Sequence, residues 1–266
     1  MKKIFVLLSL IVLATSCDWF VFDNQEFYNA QVEGKITDTK TGQPIQFAFP
    51  NTCKISIIEE GWTDKAGNPA EETQSWYVKC NGVYVNKLVW AAKYRMETKD
   101  QNFYPVSIPF ELQRGANTVN FEVTPYCRVL DPQITFEDNK IVARFKVEVE
   151  DPAKTGTVDV ALFGFTDRWV SDGNNNFDFD KVQSEGQKKK IKNADGTSTI
   201  ELKIDPNHPK ESGMQFAYKR YHYLRIGARA YGDANSSKRY NFSPVFKMSG
   251  DFSKVEEVTN WDEDLD

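Results

Sequence analysis

Lys140-Ile141-Val142-Ala143-Arg144-Phe145-Lys146-Val147-Glu148-Val149-Glu150 is the stretch whose pattern decides the fold. Ile141, Ala143, Phe145, Val147 and Val149 fall on one side, and Arg144, Lys146, Glu148 and Glu150 fall on the other. Successive side chains of a strand point to opposite faces, so this period of two predicts a half-buried β-strand. Outward from it the same period recurs. Residues 118–124 put Val119, Phe121 and Val123 on one face, and residues 221–231 do the same with Leu224, Ile226, Ala228 and Ala230. Shorter strand-like runs lie at 31–37, 54–59, 82–86, 94–99, 157–163, 199–204 and 241–248. Turn signals separate them: Thr41-Gly42, Ala66-Gly67-Asn68, Asn81-Gly82, Asp195-Gly196 and Ser212-Gly213. A helical period of 3.6 is almost absent. The expected fold class is all-β, with two tandem antiparallel β-sandwich domains, the second immunoglobulin-like.

Pro125 cannot donate to a central ladder, so the expected boundary falls at Thr124-Pro125-Tyr126. That gives domains at 27–125 and 126–250, each long enough for its own core. Residues 251–266 read as an acidic tail, with seven acids against Lys254.

The N-terminus reads as an address. Lys2 and Lys3 precede an apolar run over 4–13, which is too short to cross a bilayer core of about 30 Å as a helix. Ala14, Thr15 and Ser16 then lead to Cys17, which resembles the lipobox of bacterial lipoproteins. On that reading 1–16 is a signal peptide, Cys17 carries acyl chains, and 17–26 is a lipidated tether. Several acyl chains hold a protein on a membrane far better than one.

The 266 residues carry a net charge of −5, and losing Lys2 and Lys3 with the leader takes it to −7. Most of that charge sits in the last sixteen residues, so the body is nearly neutral. Gripping nucleic acid through its phosphates is therefore not expected, and a neutral ligand suits the body better. Beyond Cys17 the cysteines are Cys53, Cys80 and Cys127. Export permits a Cys53–Cys80 disulfide; buried free thiols are the alternative.

Catalytic patterns are missing. The two histidines, His208 and His222, lie far apart in sequence, and no GxSxG, HExxH or phosphate-cradling glycine loop is present. Glu59/Glu60 and Glu71/Glu72 are adjacent, so on a strand each pair splits between faces. No enzyme activity and no cofactor are expected.

Three sets of residues are binding candidates. Tryptophans Trp62, Trp76 and Trp90, together with Tyr77 and Tyr84, could stack on the apolar faces of sugar rings; the alternative is that they fill a core. In 221–231 the face opposite Leu224 carries Tyr221, Tyr223, Arg225, Arg229 and Tyr231. That face is either a ligand or partner surface or a row of solvated cross-strand pairs. Asp172, Asn174, Asn176, Asp178 and Asp180 place oxygen at alternate positions, as calcium asks. Phe177 and Gln183 stand where an EF-hand needs glycine and glutamate, and a structural loop accounts for the asparagines equally well.

Val32-Glu33-Gly34-Lys35-Ile36-Thr37-Asp38, followed by Thr41-Gly42-Gln43-Pro44-Ile45, resembles the opening of a carboxypeptidase-regulatory-like, transthyretin-type sandwich. A longer pattern is similar to the Bacteroidetes lipoproteins of domain-of-unknown-function family 3823. It comprises Pro50-Asn51, Ile57-Ile58-Glu59-Glu60-Gly61-Trp62, Phe121-Glu122-Val123-Thr124-Pro125-Tyr126 and Gly173-Asn174-Asn175-Asn176-Phe177-Asp178. The resemblance implies an outer-membrane, cell-surface protein of a Sus-type polysaccharide-utilisation system, beside a TonB-dependent transporter and its SusD-like lipoprotein. It supplies no site residues. The expected function is non-catalytic polysaccharide capture through exposed aromatics, or else a structural module bracing the transport complex.

Overall fold

The computed structural model describes residues 27–175, 188–206, 219–232 and 239–261; the expected signal peptide (1–16), Cys17, the expected tether, Asn176, Asp178, Asp180 and His208 lie outside them. Every regular element among the described residues is a β-strand. The residues that decide the fold form β10 (Lys140–Val149), with Ile141, Ala143, Phe145, Val147 and Val149 all buried. β10 pairs with β9 (Cys127–Glu137) on one side and β13 (Ile200–Ile204) on the other, both antiparallel. Glu137 faces Lys140, so Asp138 and Asn139 alone make the turn, with φ of 49° and 61°. Two left-handed residues fit the twist of a hairpin, and short polar side chains tolerate that conformation best.

A second sheet covers this one. Its path runs β12 (Lys188–Lys192), β11 (Thr157–Phe165), β14 (His222–Tyr231), β16 (Phe246–Met248) and β17 (Val255–Glu257), and β15 (Asn241–Phe242) also pairs with β14. Between the two sheets lie Phe145, Val147, Val160, Leu162, Leu202, Leu224 and Ile226. Residues 251–261 are therefore no free tail: β17 extends the sheet, and Trp261 is 7% exposed.

The first unit is also two-layered. One layer holds β4 (Val83–Val89), β1 (Ala30–Asp38), β7 (Gly115–Thr118) and β8 (Phe121–Val123); the other runs β3 (Pro69–Tyr77), β2 (Lys54–Thr63), β5 (Lys93–Thr98), β6 (Val106–Glu111). β1 pairs with β7 and then β8 in parallel, an exception to the antiparallel expectation. The single strand expected over 118–124 is in fact these two. They part at Val119 and Asn120, where Asn120 Oδ1 accepts from the Lys35 amide at 2.9 Å. Gly34 is needed beside the break, because a Cβ there would lie 1.7 Å from the Val119 oxygen.

A third cluster joins the units. Ala48 and Cys80 of the first pack with Phe163, Val170, Tyr223, Tyr240 and Trp261 of the second. At Tyr223 and Arg225 the outer face of β14 is thus covered, in part by the chain's own first unit.

Candidate functional site

A cleft of about 620 Å³ opens where the units meet. β1 delivers Asp38 to its floor. The tight turn after it holds the carboxylate in place: the Lys40 amide donates to Oδ1 at 3.0 Å and Thr41 Oγ1 to Oδ2 at 2.9 Å. Arg128, the second residue of β9, lies directly opposite. Its Nε donates to Asp38 Oδ2 at 2.6 Å, its Nη2 to Oδ1 at 2.7 Å, and its Nη1 to Glu150. Burial alone would raise the Asp38 pKa, but Arg128 and the turn donors hold it below the ordinary aspartate value.

The walls are mixed. Lys35, Gln43 and Asn81 come from the first unit, Asp131 from β9, and Glu257 and Thr259 from the chain's last described residues. Pro44, Pro132 and Pro244 add flat apolar surface, and Trp261 lines the cleft while packing on Trp169 at 5.8 Å between ring centroids. The Arg168 guanidinium lies 5.7 Å from the Trp261 ring centre. Charges at the cleft nearly cancel: Arg128 answers Asp38, Lys146 holds Asp131 at 2.8 Å, and Lys35 offsets Glu257. A shallow, near-neutral cleft with amide, hydroxyl and ammonium donors suits an uncharged ligand rich in hydroxyls.

The predicted site residues scatter. Trp76 is 2% exposed, donates its indole N–H to Gln74 Oε1 at 3.1 Å, and packs on Tyr84, Tyr94 and Phe110. It is core, because its register opposite Ile55 turns it inward. Trp62 is 37% exposed and hydrogen-bonds Glu59, a buried carboxyl that also accepts from Gln74 Nε2 at 2.8 Å. Burial raises the Glu59 pKa despite those bonds. Trp90 is half-buried under Tyr28, with ring centroids 4.4 Å apart. Tyr77 is 61% exposed, whereas Tyr84 is buried with its hydroxyl donating to the Val119 oxygen at 2.6 Å.

In the second unit Tyr221 stays exposed, with Lys247 Nζ 3.9 Å from its ring centre. Tyr223 and Arg225 do not; the expectation of an open Tyr/Arg face fails at these two because the first unit, together with the second unit's own Val170, Phe242 and Val245, covers them. Arg225 is 0% exposed and donates to the oxygens of Ser243 at 2.8 Å, Phe47 at 2.7 Å and Cys80 at 3.4 Å. Its guanidinium also lies 4.6 Å from the Phe242 ring centre. Burial pulls its pKa down to about 10. Arg229 and Tyr231, farther along, both bond Asp159 Oδ2, at 3.2 and 2.8 Å.

Within the calcium candidate, Asp172 accepts from Asn51 Nδ2 at 2.9 Å and Asn174 Nδ2 donates to the Trp169 oxygen at 3.3 Å. Both are engaged with protein, and no group of three or more metal-ligating side chains occurs among the described residues. Cys53, Cys80 and Cys127 are free and buried. Sequence reasoning missed Arg128, Asp38 and Trp261. The one available signal was Trp261 itself, a large apolar ring stranded among acids.

No protein-family model matches the sequence, and no curated protein matches it. Solved structures do. A candidate carbohydrate binding protein from Bacteroides uniformis is 26% identical, with a TM-score of 0.70 over 84% of this chain and 99% of its own. A DUF3823 family protein from Parabacteroides merdae is 19% identical with a TM-score of 0.61, over 84% of this chain and 99% of its own. Another from Bacteroides ovatus is 16% identical with a TM-score of 0.60, over 83% and 98%. The chain therefore shares the fold of the DUF3823 proteins across most of its length.

Proposed function

We propose that this chain is a non-catalytic member of the DUF3823 family that binds carbohydrate in the cleft between its two units. It is anchored at the outer membrane by acyl chains on Cys17 and serves polysaccharide capture or uptake in a Sus-type system. The observation that carries the binding reading is the charge-balanced cleft, floored by a fixed Arg128–Asp38 pair and rimmed by Lys35, Gln43 and Glu257. The similarity to a candidate carbohydrate binding protein over nearly that protein's whole length supports it. The leader motif supports the anchor.

The test is a glycan array on residues 18–266, repeated with Lys35→Ala/Gln43→Ala/Glu257→Ala. These rim residues are exposed, so the variant keeps the fold. A specific hit lost in the variant supports the cleft; a hit retained moves the site elsewhere.

A second reading has its own observation. Trp76, Tyr223 and Arg225 are all consumed by packing, and Arg225 binds the units together. Two units joined by a buried arginine and a shared apolar cluster suit a brace for a SusD-like lipoprotein and its TonB-dependent transporter. Silence across a diverse array, with co-purification of such a complex, favours the brace.

A further inference from the structure

β1 runs from Ala30 to Asp38, and Asp38 meets the second unit. Ala30 therefore lies at the far pole of the first unit, about 26 Å away at the rise of an extended strand. That pole collects exposed apolar groups. Phe27 is 94% exposed, Tyr28 48% and Leu88 65%, and Trp90 is half-buried against Tyr28. Val89 pairs with Ala30, which sets Leu88 and Trp90 beside the point where the chain enters the fold. β2 ends at the same pole, and Trp62 with it, because β2 continues past its Glu59–Tyr94 pairing towards the β4–β5 connection.

We propose that this aromatic pole rests on the lipid bilayer surface. The inference builds on the acylation of Cys17. Nine residues, 18–26, lie between Cys17 and Phe27, so even a fully extended tether of ten Cα steps leaves Phe27 within roughly 35 Å of the lipid anchor. Rings with one polar edge, such as Tyr28 and Trp90, settle at the level of the headgroups, where their apolar faces leave water and their N–H and O–H groups stay wet. Charges at the pole are mixed, Lys65, Lys87, Lys93 and Arg114 against Glu60, Asp64 and Glu111. Contact therefore comes from apolar burial and is insensitive to salt. Seated this way, Trp62 and Trp90 face lipid and not glycan, while the cleft stands off the membrane by the length of β1.

The experiment uses the full-length acylated protein in phosphatidylcholine vesicles carrying a headgroup-level nitroxide lipid. Cys53, Cys80 and Cys127 are buried, so a fluorescent dye reacts only with an introduced thiol. Leu88→Cys places it at the pole, and Lys140→Cys places it at the far end of the β9–β10 hairpin. The dye at 88 is expected to lose emission while the dye at 140 keeps its own, at low and high salt alike. Equal emission at both sites, with acyl-Cys17 verified by mass spectrometry, overturns the seat and leaves the anchor intact. An unmodified Cys17 overturns both. Shielding of the dye at 88 from an aqueous quencher without vesicles means that residues 18–26 cover the pole, and that also overturns the proposal.

Discussion

Arg128 grips Asp38 through two parallel hydrogen bonds, across the junction of two separately packed β units, with 5% and 6% of their side chains exposed. A guanidinium's planar fork of donors matches the two oxygens of a carboxylate, and the third arm of Arg128 reaches Glu150. Such a pair is weak evidence of net stability, but breaking it is costly, because the charge left behind is buried.

Arg128→Met should therefore destabilise the protein by about 3–5 kcal/mol in urea unfolding. Replacing Asp38 and Arg128 together by apolar residues should cost less than either single change. Asp38 has a pKa below its unfolded value, so its contribution is present above about pH 3.8 and fades as pH falls through the lower folded value. The deficit of Asp38→Asn should stay constant from neutrality to mild acid and shrink only in stronger acid.

His222 supplies a pH dependence of its own. Burial, aided by the charge of Arg220, lowers its pKa from 6.5 to about 4. The unfolded chain then binds a proton between those values that the folded chain refuses, so stability falls as pH drops from 6.5 towards 4. The loss is about 3 kcal/mol. His222→Gln should flatten the wild-type decline in that window; an unchanged slope would count against neutral burial of the ring.

Trp76 and Trp62 should behave oppositely. Trp76→Ala empties a packed core and should cost about 3–5 kcal/mol in denaturant unfolding. Trp62→Ala removes a partly exposed ring and one hydrogen bond to Glu59, and should cost about 1 kcal/mol. Neither should alter retention on any glycan that binds the cleft.

The thiols give a direct check on packing. Burial raises the pKa of Cys53, Cys80 and Cys127, the last to about 12. Chain 18–266 should react with a thiol reagent only in denaturant, and then at all three cysteines. Fewer reactive thiols in denaturant would mean a disulfide after all.

Alternation in the sequence located β10 and β14 and told which side chains share a face, because the pleat imposes that period on any half-buried strand. It could not tell what covers the second face. Tyr223 and Arg225 do point away from the Leu224 side, but the first unit and the second unit's own Val170, Phe242 and Val245 lie over them. β3 escaped notice because Glu71, Glu72, Thr73 and Gln74 hide one inward Trp76 in a polar run. β9 was missed because Asp131, at φ 49°, and Pro132 interrupt its pattern. The cleft was illegible for a plainer reason: its residues come from positions nearly the full chain apart, and only the junction puts Lys35 and Glu257 in the lining of one cleft.

Arg225 also bears on how such a chain could have been inherited. Its donors are met by the Phe47 and Cys80 oxygens as well as by Ser243, so the second unit is not a cassette that could be cut out and spliced elsewhere. Transplanted alone, it would present a cation and Tyr223 on a bare sheet face, and the first unit alone would expose the carbonyls that had received it. The two halves are therefore physically interdependent: each closes hydrogen-bonding groups that the other would leave bare.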